Sequence, residues 1–128
     1  TPRPVVQQMV DILEVENPGI LSDSTKTFAD LFSTAGLFLM ELVRRLDTGL
    51  ADQIADQEER LEHILTSQLF EMSHNTILHE ITLEAVSGGV PKRKRWLKES
   101  GHYRVGNLAK MTSAQRNQTI NDMLTEGN

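Results

Sequence analysis

The chain has 128 residues, of which 38% are hydrophobic and 24% are charged, so it is long enough to bury the core of one domain. It contains no cysteine, which excludes disulfide bonds, thiolate metal sites and a cysteine nucleophile. No run of 18 apolar residues occurs, so we expect an intracellular protein that does not cross a membrane, in the cytoplasm or with the nucleoid or nucleus. The sequence does not begin with methionine, and we therefore expect a processed chain or a fragment of a longer protein.

Apolar residues at helical spacing predict two helices in the first half of the chain. The first begins near Pro4 and ends at the breaker cluster Asn17-Pro18-Gly19. The second covers residues 25–47 and stops at Thr48-Gly49. The side chains that recur every three or four positions in this second helix are Phe28, Leu31, Phe32, Leu39, Leu42, Val43 and Leu46. Further apolar residues almost encircle it, so it needs cover on more than one side.

A third helical region is predicted over residues 50–86, which contain no glycine and no proline. A straight helix of that length would extend about 55 Å at 1.5 Å per residue. A compact domain of this size has a diameter of only about 36 Å. Either the helix breaks near Ser73, or a second copy of the chain covers its apolar stripe. We favour the second copy and predict a homo-oligomer whose core or interface includes Leu61, Leu65, Leu69 and Met72.

The C-terminal part is predicted to hold one more helix. Gly88-Gly89 and Pro91 end the helical region, and Thr112 with Gln115 resembles a capping box for a helix over residues 113–124. The predicted fold is all-α, a bundle of four or five helices with helices 2 and 3 as a central antiparallel pair. Residues 1–87 would form an acidic helical body, residues 88–107 a basic connecting arm, and residues 108–128 a C-terminal helix packed on the body or exchanged with it.

The basic segment is the clearest compositional feature of the chain. Residues 1–87 carry a net charge of −10 and residues 88–110 carry +6, within a total of −5. Cations neutralise nucleic-acid phosphates, and flat rings stack on unpaired bases. The candidate contact residues for nucleic acid or another partner are Lys92, Arg93, Lys94, Arg95, Trp96, Lys98, Tyr103 and Arg104. The same cations could instead bind a protein partner, dock on the acidic body, or form a solvated surface.

A dense group of carboxylates in the third helical region offers an enzymatic alternative. The run Glu58-Glu59-Arg60-Leu61-Glu62 reads EExxE, and it resembles the first metal motif of the all-α MazG-type nucleotide pyrophosphohydrolases. The resemblance covers five residues and implies that Glu58, Glu59 and Glu62 bind magnesium. That family also uses an ExxD motif, because magnesium needs oxygens from two helices. This chain offers only Glu80 and Glu84, with no aspartate at that spacing.

Other catalytic patterns are missing from the sequence. It has no GxSxG elbow and no glycine-rich phosphate loop, His79-Glu80 lacks the second histidine of HExxH, and Glu71 with His74 is a single ExxH pair. We therefore predict no catalytic residue, no metal and no cofactor. The leading prediction is a non-enzymatic nucleic-acid-associated or regulatory protein that contacts phosphates through its basic arm. The alternatives are a protein–protein interaction or assembly module, from a larger regulatory or viral structural protein, and the magnesium-dependent pyrophosphohydrolase.

Overall fold

The computed structural model describes residues 3–33 and 35–126. Three strands form one parallel sheet in these residues: β1 (Phe28–Ser33), β2 (Leu69–Ser73) and β3 (Tyr103–Val105), in the order β1-β2-β3. The register pairs Asp30 with Glu71 and Glu71 with Tyr103. The predicted all-α bundle with a central antiparallel helix pair is therefore wrong, because a parallel sheet occupies the centre of the molecule.

Within the described residues, six α-helices surround the sheet. In chain order they are α1 (Arg3–Glu16), α2 (Leu37–Gly49), α3 (Gln57–His63), α4 (Thr76–Ser87), α5 (Pro91–Ser100) and α6 (Ser113–Glu126). A π-helical turn, Ile64–Gln68, joins α3 to β2, and short 3₁₀ turns lie at Ile20–Ser22 and Leu108–Lys110. Helices α2 and α3 connect β1 to β2, and α4 and α5 connect β2 to β3, as parallel neighbouring strands require.

Local capping chemistry sets several helix ends, and here the sequence predictions are confirmed. The first helix ends before Asn17-Pro18-Gly19, and α2 ends at Gly49. The capping box of α6 is present, since Thr112 N–H donates to Gln115 Oε1 at 2.9 Å and Gln115 N–H donates to Thr112 Oγ1 at 3.2 Å. These contacts involve neighbours in the chain, which explains why sequence alone could predict them.

The predicted second helix over residues 25–47 is wrong in its first half. Residues 28–33 form strand β1, and helix α2 begins only at Leu37, after Gly36. The spacing of Phe28, Leu31 and Phe32 fits one helical turn, but a short apolar run cannot distinguish a buried strand from a buried helix.

The predicted helical region over residues 50–86 is also wrong. It contains a loop, α3, the π-helical turn, β2 and α4, and all five residues of β2 are buried. A strand covered on both faces lacks the alternation of apolar and polar residues that marks a half-exposed strand. Asn75 caps α4 by accepting from Leu78 N–H at 2.9 Å, so the chain does break near Ser73. The length argument for self-association falls with the long helix, and the homo-oligomer stays a prediction.

Each face of the sheet carries its own hydrophobic core. The core on the face covered by α2, α4 and α5 also includes the π-helical turn, and its largest fully buried side chains are Leu39, Leu42, Leu46, Leu50, Ile64, Leu65, Leu69, Leu83 and Leu97. The smaller core on the other face consists of Phe70, Met72, Leu108 and Met123. Leu61, Leu65, Leu69 and Met72 are all buried within the chain itself. Among the described residues, no helix is long and apolar enough to span a membrane.

Candidate functional site

The carboxyl ends of the three parallel strands meet at one edge of the sheet. They end at Ser33, Ser73 and Val105, and β1 is followed by the turn into α2. In open parallel sheets, ligands bind in the crevice outside this edge, since the loops that follow the strands converge there. We therefore expect a functional site at this edge of the sheet.

A cavity of about 670 Å³ lies at this edge, between β1 and the first helix. Val6 and Met9 of α1 form one wall, and residues 29–32 of β1 form another. Residues 35–38, which comprise the turn and the first two residues of α2, close the end. Small-molecule sites in proteins have volumes of about 300–1,000 Å³ and mainly apolar walls with a few polar groups. This cavity has that size and composition, with Asp30 as its carboxylate.

Gly36 lets the chain turn from β1 into α2. Its φ of 76° lies in the left-handed region, which a side chain disfavours. A Cβ atom at this position would lie 3.2 Å from Cγ2 of both Thr82 and Val86 on α4. The glycine therefore combines a left-handed backbone turn with close packing of that turn against α4.

Asp30 and Phe32 give the cavity its polar and aromatic groups. Asp30 Oδ1 accepts a hydrogen bond from the Phe32 N–H at 3.3 Å, and burial raises the pKa of the Asp30 carboxyl. The Phe32 side chain remains 54% exposed although it is large and apolar. Its ring meets the His74 ring edge-on at 6.3 Å, so aromatic groups flank the ends of β1 and β2.

Glu71 lies beside Asp30 on the next strand and is completely buried. Ser73 Oγ donates to its two carboxylate oxygens at 2.7 and 3.2 Å. The His79 Nδ1 atom is 3.7 Å from Glu71 Oε1, too far for a hydrogen bond. The pKa of Glu71 is raised to about 7: burial raises it most, the hydrogen bond from Ser73 opposes the change, and the charge of Asp30 adds to it. A buried carboxyl without a cationic partner is typical of functional positions.

Sequence reasoning missed this pair of carboxylates. Asp30 was placed inside a helix, and Glu71 was considered only with His74 as a possible ligand pair. A signal was present in the apolar run before Gly36, because a short buried strand followed by a glycine turn is typical of ligand-binding α/β folds. The pairing of Asp30 with Glu71 joins residues 41 positions apart, and only the sheet register reveals it.

The basic segment is folded rather than extended. Residues 92–98 lie in α5, and Tyr103 and Arg104 lie in β3. Arg93 Nη2 donates to Glu58 Oε1 at 2.5 Å, Lys92 lies 3.9 Å from Glu58 Oε2, and Lys94 pairs with Glu84. Three of the predicted contact cations therefore pair with carboxylates of the acidic body.

The remaining contact candidates divide into buried and exposed groups. Tyr103 is buried and donates from its hydroxyl to the Leu65 carbonyl at 2.7 Å, while Arg104 Nε donates to the Gly101 carbonyl at 2.9 Å. Trp96 is half-buried and lies beneath the Lys92 ammonium, 5.3 Å from its ring centroid. Arg95 and Lys98 are exposed on α5, one helical turn apart. Lys92 is exposed as well, but Arg95 and Lys98 differ from it because they form no ion pair among the described residues.

The carboxylates of the EExxE motif do not converge on a second acidic helix. Glu58 pairs with Arg93. Glu59 lies in the first turn of α3, and its backbone N–H donates to the capping side chain of Asp56. In the part of the chain that the structure describes, no three His, Asp or Glu side chains are placed to hold a metal ion. The pyrophosphohydrolase resemblance implied an all-α fold, and the parallel sheet contradicts it.

Comparison with known proteins gives one similarity. No protein-family profile matches the chain, and no solved structure matches it. An uncharacterized adenine-specific methylase of Mycoplasma pneumoniae (strain ATCC 29342 / M129 / Subtype 1) is 34% identical over 70 residues. The match covers 55% of this chain but only 17% of that protein. The prediction of a non-enzymatic protein is contradicted by this distant and partial similarity to a protein named as an enzyme.

Proposed function

We propose that this chain forms the methyl-donor-binding part of an adenine-specific methylase, with the donor in the cavity at the carboxyl end of β1. The observation that carries the proposal is the cavity itself, which combines about 670 Å³ of mainly apolar space with Asp30 and the Gly36 turn. The similarity to a protein named as a methylase supports the same assignment. The chain matches a small part of that relative, so the proposal concerns binding of the donor.

S-Adenosylmethionine is the donor whose chemistry fits these walls. When bound, it supplies a methyl group carried on a positively charged sulfonium sulfur. Asp30 provides a carboxylate to face that charge, and the apolar side chains of α1 and the turn cover a nucleoside. Gly36 supplies the left-handed turn that joins β1 to α2 beside the cavity, and a glycine holds the corresponding first turn in nucleotide-binding α/β folds.

Calorimetric titration with S-adenosylmethionine tests this assignment. We expect saturable binding to the native chain and at least tenfold weaker binding to Asp30→Asn, which keeps the size of the side chain but removes its charge. Asp52→Asn is the matched control, because Asp52 is exposed in the loop after α2 and away from the cavity lining. Absence of binding to the native chain, or equal affinities of the Asp30→Asn and Asp52→Asn variants, would overturn the proposal.

Nucleic acid is the substrate class that the same proposal implies, and the exposed cations of α5 support a contact with phosphates. Arg95 and Lys98 lie on the surface, where they can release counterions from a phosphate backbone. The acidic residues elsewhere restrict such a contact to this helix. A protein partner at the same surface and a homo-oligomer stay predictions.

Two double variants test whether binding depends on the positions of the cations on α5 or only on the net charge of the chain. Arg95→Ala/Lys98→Ala removes two exposed cations that form no ion pair among the described residues, whereas Arg93→Ala/Lys94→Ala removes two cations that pair with Glu58 and Glu84. Both lower the net charge equally. In a salt titration of binding to duplex DNA, we expect the first variant to flatten the slope of log K against log salt by about 2, and the second to change it less. Equal slopes for the two variants would contradict the assignment to Arg95 and Lys98.

A further inference from the structure

Glu71 lies directly behind the cavity wall. Asp30 lines the cavity, and the sheet register places Glu71 beside Asp30 on the inner neighbouring strand. The two carboxyls lie on the face of the sheet that α2, α4 and α5 cover, since strand residues at equivalent register positions point to the same side. The charge on Glu71 therefore acts on a ligand in the cavity from one strand away.

Among residues 3–33 and 35–126, the groups that face Glu71 leave its charge uncompensated. On β1 the neighbour is Asp30, and on β3 it is Tyr103, whose hydroxyl is engaged by the Leu65 carbonyl. Ser73 on β2 itself donates to the carboxylate. On α4, His79 approaches Glu71 with a buried Nδ1 atom that has no hydrogen-bond partner in the described part of the chain.

The surroundings of His79 keep it from acting as a counter-ion at neutral pH. Burial lowers the pKa of His79; the nearby charge of Glu80 on α4 raises it, and that of Lys98 on α5 lowers it. The shift is downward, so this imidazole is mainly uncharged near pH 7. Because the pKa of Glu71 is about 7, its negative charge appears as the pH rises through 7. His79 is mainly uncharged there, so no cation among the described groups around Glu71 cancels that charge.

We infer that Glu71 determines how strongly the β1 cavity prefers a cationic methyl donor over its neutral product, and that this preference increases as the pH rises. The inference rests on the proposed function. Methyl transfer to the adenine amine converts the sulfonium of the donor into an uncharged thioether, and the amine loses a proton. Ionised Glu71 adds a second negative charge behind Asp30, which attracts the sulfonium but has no charge to act on in the thioether.

The test compares S-adenosylmethionine with S-adenosylhomocysteine, its thioether product, by calorimetry between pH 5.5 and 8. We expect the ratio of the product Kd to the donor Kd to rise about tenfold across this range in the native chain. Both titrations are then repeated near pH 7 in two buffers of different ionisation enthalpy, which measures the number of protons released on binding. We expect the donor to release more protons than the product.

Three variants assign the effect to Glu71. Glu71→Gln should give a ratio that no longer changes with pH, while Glu80→Gln, on the exposed side of α4, should behave as the native chain does. Ser73→Ala removes the hydrogen bond that favours the ionised carboxyl, so the rise in the ratio should move to higher pH. This third variant and the two-buffer measurement decide the question if Glu71→Gln does not fold.

Each outcome separates the inference from the proposed function. If both ligands bind but their Kd ratio does not depend on pH in the native chain, the inference is wrong and the donor site stands. A pH-dependent ratio that survives in Glu71→Gln also overturns it. If neither ligand binds at any pH, the proposed function fails and the inference fails with it.

Discussion

Two buried glutamates in this molecule have opposite surroundings. Glu41 on α2 accepts from Arg44 at 2.5 and 3.2 Å and from Arg45 at 2.7 Å. The hydrogen bond from Arg44 lowers the pKa of Glu41, burial opposes this, and the bond from Arg45 lowers it further. Glu71 on β2 has Ser73 as its hydrogen-bond donor and Asp30 as its charged neighbour, and its pKa rises to about 7.

The contrast shows that burial alone does not tell whether a carboxyl stabilises the fold. A buried carboxylate held by two guanidinium groups joins α2 to α1, because Arg45 also reaches Asp11 at 2.6 Å. A buried carboxyl with no cation costs stability when it ionises. Such a group persists where its charge acts on something else, and Glu71 lies behind the candidate donor cavity.

The largest change in stability is expected when Glu41 loses its charge. Glu41→Gln should lower the free energy of unfolding by about 3 kcal/mol at pH 7, because a neutral amide replaces the carboxylate that two guanidinium groups share, and Asp11 is then the one carboxylate left to Arg45 among the described residues. Since folding lowers the pKa of Glu41, its contribution is present above the unfolded pKa of about 4.3 and is lost as the pH falls through the folded value. Urea unfolding of both proteins at pH 7 and pH 3 measures the difference; a loss below about 1 kcal/mol at pH 7 would contradict it.

The same substitution at Glu71 should act in the opposite direction. Folding raises the pKa of Glu71, so the native state holds a proton that the unfolded chain loses, and stability falls as the pH rises from about 4.3 to about 7. Glu71→Gln removes this penalty, and we expect it to stabilise the chain by about 2 kcal/mol at pH 8 and by almost nothing near pH 4.

Urea unfolding across this pH range measures the effect. Ser73 can still donate to the glutamine carbonyl oxygen, and the unpartnered His79 Nδ1 can accept from the new amide N–H. Destabilisation at pH 8, or a difference that does not change with pH, would show that Glu71 is held as an ordinary structural carboxylate. Together with Glu41→Gln, the experiment tests whether two buried glutamates respond with opposite signs.

Local features of this fold could be predicted from the sequence, and long-range features could not. The ends of α1 and α2 and the capping box of α6 depend on residues within a few positions of each other. Strands β1 and β2 pair with each other across about 40 residues of chain. Both are short; β2 is buried along its whole length, and β1 shows no regular alternation of buried and exposed residues. Helical spacing therefore predicted a wrong all-α fold, and it placed Phe32, which is 54% exposed, on a buried stripe.

The candidate site follows the same rule. Composition revealed the basic segment, because charge is a property of the residues themselves. It could not reveal that Arg93 and Lys94 pair with Glu58 and Glu84, since those partners come from α3 and α4. Asp30 and Gly36 could have been suspected from a short apolar run and a glycine turn. The importance of Glu71 arises only from its register beside Asp30.

The smallest expected effect concerns a third glutamate, which sharpens the comparison at the surface. Glu58 is about half exposed and pairs with Arg93, so Glu58→Gln should cost only about 0.5 kcal/mol at low salt, and 0.5 M NaCl should remove most of that loss. Glu59→Gln is the matched control, because Glu59 shares the first turn of α3 but forms no ion pair among the described residues, so both variants lose the same favourable interaction with the helix dipole. A loss above about 1.5 kcal/mol for Glu58→Gln would mean that this pair is shielded from water and fixes α5 to α3 as Arg45 fixes α2 to α1. In that case α5 would be a rigid part of the acidic body, and pairing rather than exposure would separate structural charges from functional ones throughout the molecule.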